Sequence, residues 1–262
     1  MITVKNSAQL SLMRDAGRIA AEARALGGSL VREGVTTSHI DAKIKSCILS
    51  HGAHPSFLGY GGFPASACIS VNDQVIHGIP SPETVLKDGD IVKIDVGAFY
   101  KGYHGDCAAT FAVGSVSEEA ERLIRVTEAS FYKGIEQALP DRRIGDIGAA
   151  IEGFVRENGF TVVRDFIGHG VGEKLHEDPE VPNYGIAGRG VRLHSGMTIA
   201  VEPMVNAGTW RVKTLSDGWT VKTLDWPPVA HCENDMRFGQ RPRHSDRRLR
   251  TLGGLNWIQV CC

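Results

Sequence analysis

The chain has 262 residues, 42% hydrophobic and 23% charged, with a formal net charge of −1 at pH 7. That balance is ordinary for a globular protein and gives no whole-chain attraction to nucleic acid or to an anionic membrane surface. No apolar stretch approaches the ~20 residues of a bilayer-spanning helix. The opening "MITVKNSAQLSLMRDAGR" lacks the apolar core and cleavage site of a secretory signal, so the expected location is cytoplasmic. Cysteines 47, 68, 107, 232, 261 and 262 form no CxxC pair and read as reduced thiols, not as a disulfide framework or a zinc ribbon.

In chain order, residues 8–26 repeat apolar groups at Leu12, Ala16, Ile19, Ala20 and Ala23. That spacing predicts a helix with Ser7 as N-cap and Gly27-Gly28 as its stop. A second helix carries Ile40, Ile44 and Ile48 and ends near Gly52. In "VKIDVGAFYKGYHGDCAAT", Val92, Ile94 and Val96 alternate with Lys93 and Asp95, the period of a half-buried strand. "YHGDCAATF" reads as its hairpin partner across a Lys101-Gly102 turn.

A third helix is predicted over 117–139, with Glu118 and Glu119 at its positive end. A fourth carries Ile147, Ile151 and Val155 and ends at Gly159, repeating the second helix 107 positions later. Each of these two helices precedes a strand-rich segment with a glycine-flanked histidine, "VIHGIP" and "FIGHGVG". A faint internal duplication follows: one domain made of two α+β halves facing one another.

Polar residues stand where apolar strand residues are due. Asp95 and Asp106 can be cross-strand neighbours on one face of the hairpin. His169 lies between glycines, His176 follows it, Glu202 interrupts "MTIAVEPMV", Glu233 lies in "VAHCEND", and His77 lies in "NDQVIHGIP". Taken singly, a strand acid faces solvent and a histidine beside glycine belongs to a turn. Taken together, four acids and a histidine in strand contexts make a mixed oxygen and nitrogen ligand list. Buried carboxylates must be paired, protonated or bound to metal; two divalent cations sharing them would activate water for hydrolysis.

The ordered set "IDVGAFYKGYHGDCAAT", "FIGHGVGEKLHEDP" and "TIAVEPMV" closely resembles type I methionine aminopeptidases, from about residue 2 to Glu233. The resemblance implies the pita-bread fold, two pseudo-symmetric halves with a curved antiparallel sheet backed by helices. It implies two divalent cations (Co, Mn, Fe or Zn) on Asp95, Asp106, His169, Glu202 and Glu233, with a structural monovalent cation. Glu202 would also move protons, and His77 and His176 would contact the substrate. Tyr60, Phe63, Cys68 and Trp219 would surround the methionine side chain. The implied activity is removal of initiator methionine when the second residue is small, from nascent chains at the ribosome, by a monomer with no membrane or nucleic-acid partner. An Xaa-Pro aminopeptidase-like enzyme is the neighbouring alternative.

After Glu233 the pattern departs. The family continues with a Thr-Val-x-Val strand, whereas this chain reads "ENDMRFGQRPRHSDRRLRTLGG", with six arginines and two acids from Asp235 onward. The expectation is a single catalytic domain over 1–234 and a poorly ordered Arg-rich tail over 235–262, Glu233 losing its supporting strand. A catalytically impaired binding protein of the same fold, or a tail that binds nucleic acid, would follow from that departure.

Overall fold

The structure, a computed structural model, describes residues 1–225, 227–238 and 257–259. Helix α1 spans Ser7–Ser29, and its N-cap is Asn6, not Ser7. Asn6 Oδ1 accepts the Gln9 amide at 3.0 Å while Gln9 Oε1 accepts the Asn6 amide at 2.9 Å. Ser7 could not form this reciprocal cap, because the residue three places on is Leu10. The helix also runs through the Gly27-Gly28 pair expected to stop it. Glycine there serves packing: a Cβ on Gly28 would lie 2.2 Å from the Phe111 ring.

Helices α2 (Thr37–Ser50), α3 (Glu118–Ile135) and α4 (Ile144–Glu157) complete the set. α3 begins where the acidic turn predicts, with the Ser117 hydroxyl accepting the Ala120 amide, and ends four residues before 139. Ile40, Ile44 and Ile48 of α2 and Ile147, Ile151 and Val155 of α4 are all fully buried. Each contributes roughly 1.5–3 kcal/mol relative to exposure.

The duplication extends well beyond these helices. The N-cap of α2, Thr36, bridges Val85, and the N-cap of α4, Arg143, bridges Arg192. Leu86 donates to the Val35 carbonyl, and Leu193 to that of Arg142. Strand 54–55 follows α2 and strand 161–162 follows α4. Strands Ile91–Tyr100 and Thr198–Val201 begin at matching places. Every second member lies 107 positions after the first, and Asp95 and Glu202 are one such pair.

The main sheet is antiparallel, in the order 54–55, 91–100, 103–112, 233–238, 198–201, 168–170, 177–181. Strand 67–71 also pairs with 91–100, and 257–259 with 233–238. Tyr100 faces Tyr103 across the hairpin, and Lys101 and Gly102 both take positive φ (48° and 88°), the two-residue turn the sequence predicts. Helices α1 and α2 cover the first half of the sheet in one apolar core (Ile19, Ile44, Ile94); α3 and α4 cover the second in another (Leu123, Ile147, Ile199). Among the described residues no helix is long and apolar enough to cross a membrane.

The sheet does not stop at residue 234. Glu233–Phe238 is a strand, bonded to 103–112 on one side and to 198–201 on the other. Its residues match no familiar strand pattern, but the slot between two half-sheets offers backbone partners on both edges, at Ala108 and Cys107 on one side and along 198–201 on the other. The remainder of the expected tail, 239–256 and 260–262, lies outside the described residues.

α1 lies close on strand 103–112 because Gly105 has no side chain: a Cβ there would sit 2.3 Å from the Gly17 amide nitrogen. Gly105→Ala must push helix and strand apart. The expected cost is about 1–3 kcal/mol in urea denaturation; unchanged stability would mean the contact yields without strain.

Candidate active site

Five neighbouring strands of the main sheet, taken in spatial order, each deliver one ligand-type side chain: Asp95, Asp106, Glu233, Glu202 (just past Val201) and His169. Asp95 and Glu233 stand in register on either side of Ala108. Ala108 projects only a methyl group, so the row leaves room between the two carboxylates. Asp106 pairs with Gly97, not with Asp95. The two aspartates are therefore diagonal neighbours on one face, still within side-chain reach.

Backbone contacts hold these groups. The Asn183 side-chain amide donates to the Glu202 carbonyl at 2.9 Å. His169 Nδ1 lies 2.8 Å from the Gly170 carbonyl oxygen, which can only accept. Nδ1 therefore carries the ring proton, and Nε2 presents its lone pair toward Glu202 Oε1, 3.6 Å away. Behind the seam, Arg24 of α1 reaches the carbonyls of Ala108 and Glu233 (3.3 and 3.5 Å).

The electrostatics follow from burial. Asp106 is pushed up to about 7, chiefly by burial. Asp95, Glu202 and Glu233 are raised well above the usual carboxylate range by burial and then by the Asp106 charge. Asp95 shares a side-chain hydrogen bond with Asp106 and is the partner that keeps the proton. His169 and His77 are held down at about 4 by burial and by His176, so both are neutral at pH 7. Burial pushes the Cys68 thiol well up, which makes it an apolar wall and no nucleophile.

A cleft opens over this row, and every residue singled out from the sequence lines it: Tyr60, Phe63, Cys68, His77, Asp95, Asp106, His169, His176, Glu202, Trp219 and Glu233. Asp41 of α2 accepts the amides of Ser66 and Ala67 (2.9 and 2.8 Å), seating the strand that carries Cys68. Asp217 accepts those of Trp219 and Thr220 (2.8 and 2.9 Å), aiming the indole inward. Phe63 meets Trp219 edge-on at 5.2 Å. His77 takes φ +57° and stands edge-on to Phe166 at 5.8 Å. His176 is 4.2 Å from the His169 ring, and its Nδ1 is 2.7 Å from the Tyr60 hydroxyl.

The sequence reading missed several members. Phe57, Ile76, Phe166 and Leu175 complete the apolar wall and look like any core residue in sequence. His231 is 1% exposed, with both ring nitrogens unbonded among the described residues and Nε2 3.8 Å from Glu233 Oε2. Burial takes it down to about 3, so it is a neutral imidazole. Its signal was available: "VAHCE" sets a histidine in an apolar strand much as "IAVEP" sets an acid. Asp235, fully buried beside Asp106, was assigned to the tail.

The donors fit a divalent cation. Asp106, His169 and Glu233 each offer an atom within 4.8 Å of the others, as do Glu202, His231 and Glu233, and Asp95 Oδ1 is buried with no hydrogen-bond partner among the described residues. Mixed carboxylate and imidazole sites suit divalent transition metals. Such a row of acids, floored by a sheet and roofed by an apolar cleft, defines a metal-dependent hydrolase. Residues 11–238 match the metallopeptidase family M24, and the chain belongs to that family, which implies use of a divalent metal.

The chain is 57% identical to a methionine aminopeptidase of Clostridium perfringens over 90% of its own length and 94% of the relative's. It is 48% identical to methionine aminopeptidase 1 of Bacillus subtilis over 90% and 95%. A crystal structure of the Thermotoga maritima methionine aminopeptidase matches with a TM-score of 0.92 at 38% identity, covering 99% of both chains. The pita-bread fold expected from the resemblance is the fold of this chain.

Because burial raises the proton affinity of all four ligand acids, a cation binds in competition with protons. Titration of Mn²⁺ at pH 7 in buffers of different ionisation heat should show proton release. Affinity should fall as pH drops from 8 to 6, about tenfold per pH unit for each proton displaced. A pH-independent affinity without proton release would contradict the raised carboxylates.

Proposed function

We propose that this metallopeptidase is a methionine aminopeptidase, removing the first residue of polypeptides whose second residue is small. The observation that carries the reading is the junction of the ligand row with a pocket of Phe63, Cys68 and Trp219. A thioether is unbranched and polarizable and packs well against aromatic rings, and an apolar wall beside the ligand row can receive such a side chain. The names of the relatives support the same activity. The substrates are nascent chains at the ribosome, met in the cytoplasm by a monomer; neither membrane nor nucleic acid takes part.

Asp95, Asp106, His169, Glu202 and Glu233 would hold two divalent cations (Co, Mn, Fe or Zn), whose four positive charges would offset the four carboxylates. When bound, the divalent cations supply Lewis acidity, polarising the scissile carbonyl and making water a nucleophile near neutral pH. Glu202, a carboxylate once a cation has displaced its proton, would accept the proton of the attacking water and return it to the leaving amine. With Nδ1 of His176 at 2.7 Å from the Tyr60 hydroxyl, the tautomer in which Tyr60 donates would put the ring proton on Nε2, free to stabilise the developing oxyanion. His77, neutral and wedged between Phe166 and Trp219, hydrogen-bonds the substrate backbone. Tyr60 and His176, joined at 2.7 Å with the His176 ring 4.2 Å from that of His169, would narrow the space left for a second side chain.

Two measurements test the reading. Met-Ala and Met-Gly peptides should be cleaved at a kcat/KM at least about tenfold above Met-Lys and Met-Phe; comparable values would refute the narrow mouth. His176→Ala should lower kcat on the order of 10²–10³ with metal content unchanged, because the imidazole donates to the oxyanion and holds no cation. Loss of metal instead would make His176 a ligand and overturn its assigned role.

A further inference from the structure

We propose that Asp235 is a positioning residue for the ligand acid Asp106, closing the point where strands 103–112 and 233–238 part. The inference rests on the two-cation reading given above. The two strands pair at Glu233↔Ala108 and Asn234↔Cys107. The next antiparallel pair would set Asp235 opposite Asp106, but the ladder ends before it. From there 233–238 stays with its other neighbours, Asp235 facing Ala200 and Met236 facing Ile199.

At the opening fork, the Asp106 amide donates to the Asp235 side chain, Oδ2, at 2.7 Å. The carboxylate thus replaces a missing backbone acceptor. Without it, a buried amide at the foot of the ligand acid Asp106 would face the fork with no acceptor from the neighbouring strand. Peptide planes are stiff, so fixing this amide fixes the Cα from which the Asp106 carboxylate projects.

Asp235 itself is fully buried, and its Oδ1 has no hydrogen-bond partner among the described residues. A strand in that environment gains nothing from an acid as packing. The one contact that accounts for it is the bond to Asp106. Metal ligands are commonly held by such outer contacts, whose loss lowers metal affinity about 10–100-fold.

Threonine and valine at 235 supply a test that the fold should survive, since both are compact and favour strands. They share a shape but differ in the hydroxyl, which can still accept the Asp106 amide. Calorimetric titration of Mn²⁺ into each folded protein should show Asp235→Val weakened about 10–100-fold and Asp235→Thr within about threefold of wild type. The Asp106 amide should exchange with solvent slowly in wild type and Asp235→Thr and faster in Asp235→Val. Equal affinities for the two variants would overturn the positioning role. An equal loss of tenfold or more in both would assign the effect to the charge and also overturn it. A wild-type protein that binds no Mn²⁺ would remove the two-cation reading, and this inference with it.

Discussion

Crowding of carboxylates at the centre of one sheet is the constraint on which the rest of this structure depends. Asp106, Glu202, Glu233 and Asp235 are buried and Asp95 is partly so, and the Asp106 charge raises the proton affinity of the other four. Left alone, such a cluster opposes folding, because taking charge out of water costs several kcal/mol per ion. The surrounding sheet, two helix pairs and two apolar cores hold the acids where only protons or cations can neutralise them. A divalent metal is therefore favoured by the whole fold, not by a few ligands in a loop.

The duplication explains how the row arises. Asp95 and Glu202 occupy matching strands, 107 positions apart, and flank the central seam from either side. The seam itself, strands 103–112 and 233–238, is where the two halves meet, and there the symmetry ends. The position 107 after Asp106 is Lys213, in a strand of a separate small sheet. The ligand across the seam from Asp106's strand is Glu233 instead. A symmetric scaffold supplies stability, and the break at the seam supplies the site.

Polarity is divided sharply within the cleft. The row is acidic, while the roof offers neutral histidines, aromatic faces and an un-ionised thiol. Neutral imidazoles at His77 and His176 can donate or accept without repelling metal cations, which charged ones could not. Helix α2 and the Asp217 turn aim the aromatic wall from outside the site, so its geometry rests on ordered backbone bonds.

The sequence by itself determined the hairpin and its turn and the places of the helices, and it singled out the acids in apolar strands and the histidines beside glycine, exceptions visible one residue at a time; Tyr60, Phe63, Cys68 and Trp219 came only from the family resemblance. It placed Asp95 and Asp106 on one face but not diagonally, since register depends on which residues close the turn and how the strands twist. It gave the first helix the wrong N-cap, a choice made by a side chain three residues away. His231 and Asp235 became legible only in the fold: nothing local shows that a segment read as tail fills the slot between two half-sheets. Tertiary structure decided that point, because the open edges of both halves needed a strand there and accepted one for its backbone rather than its side chains.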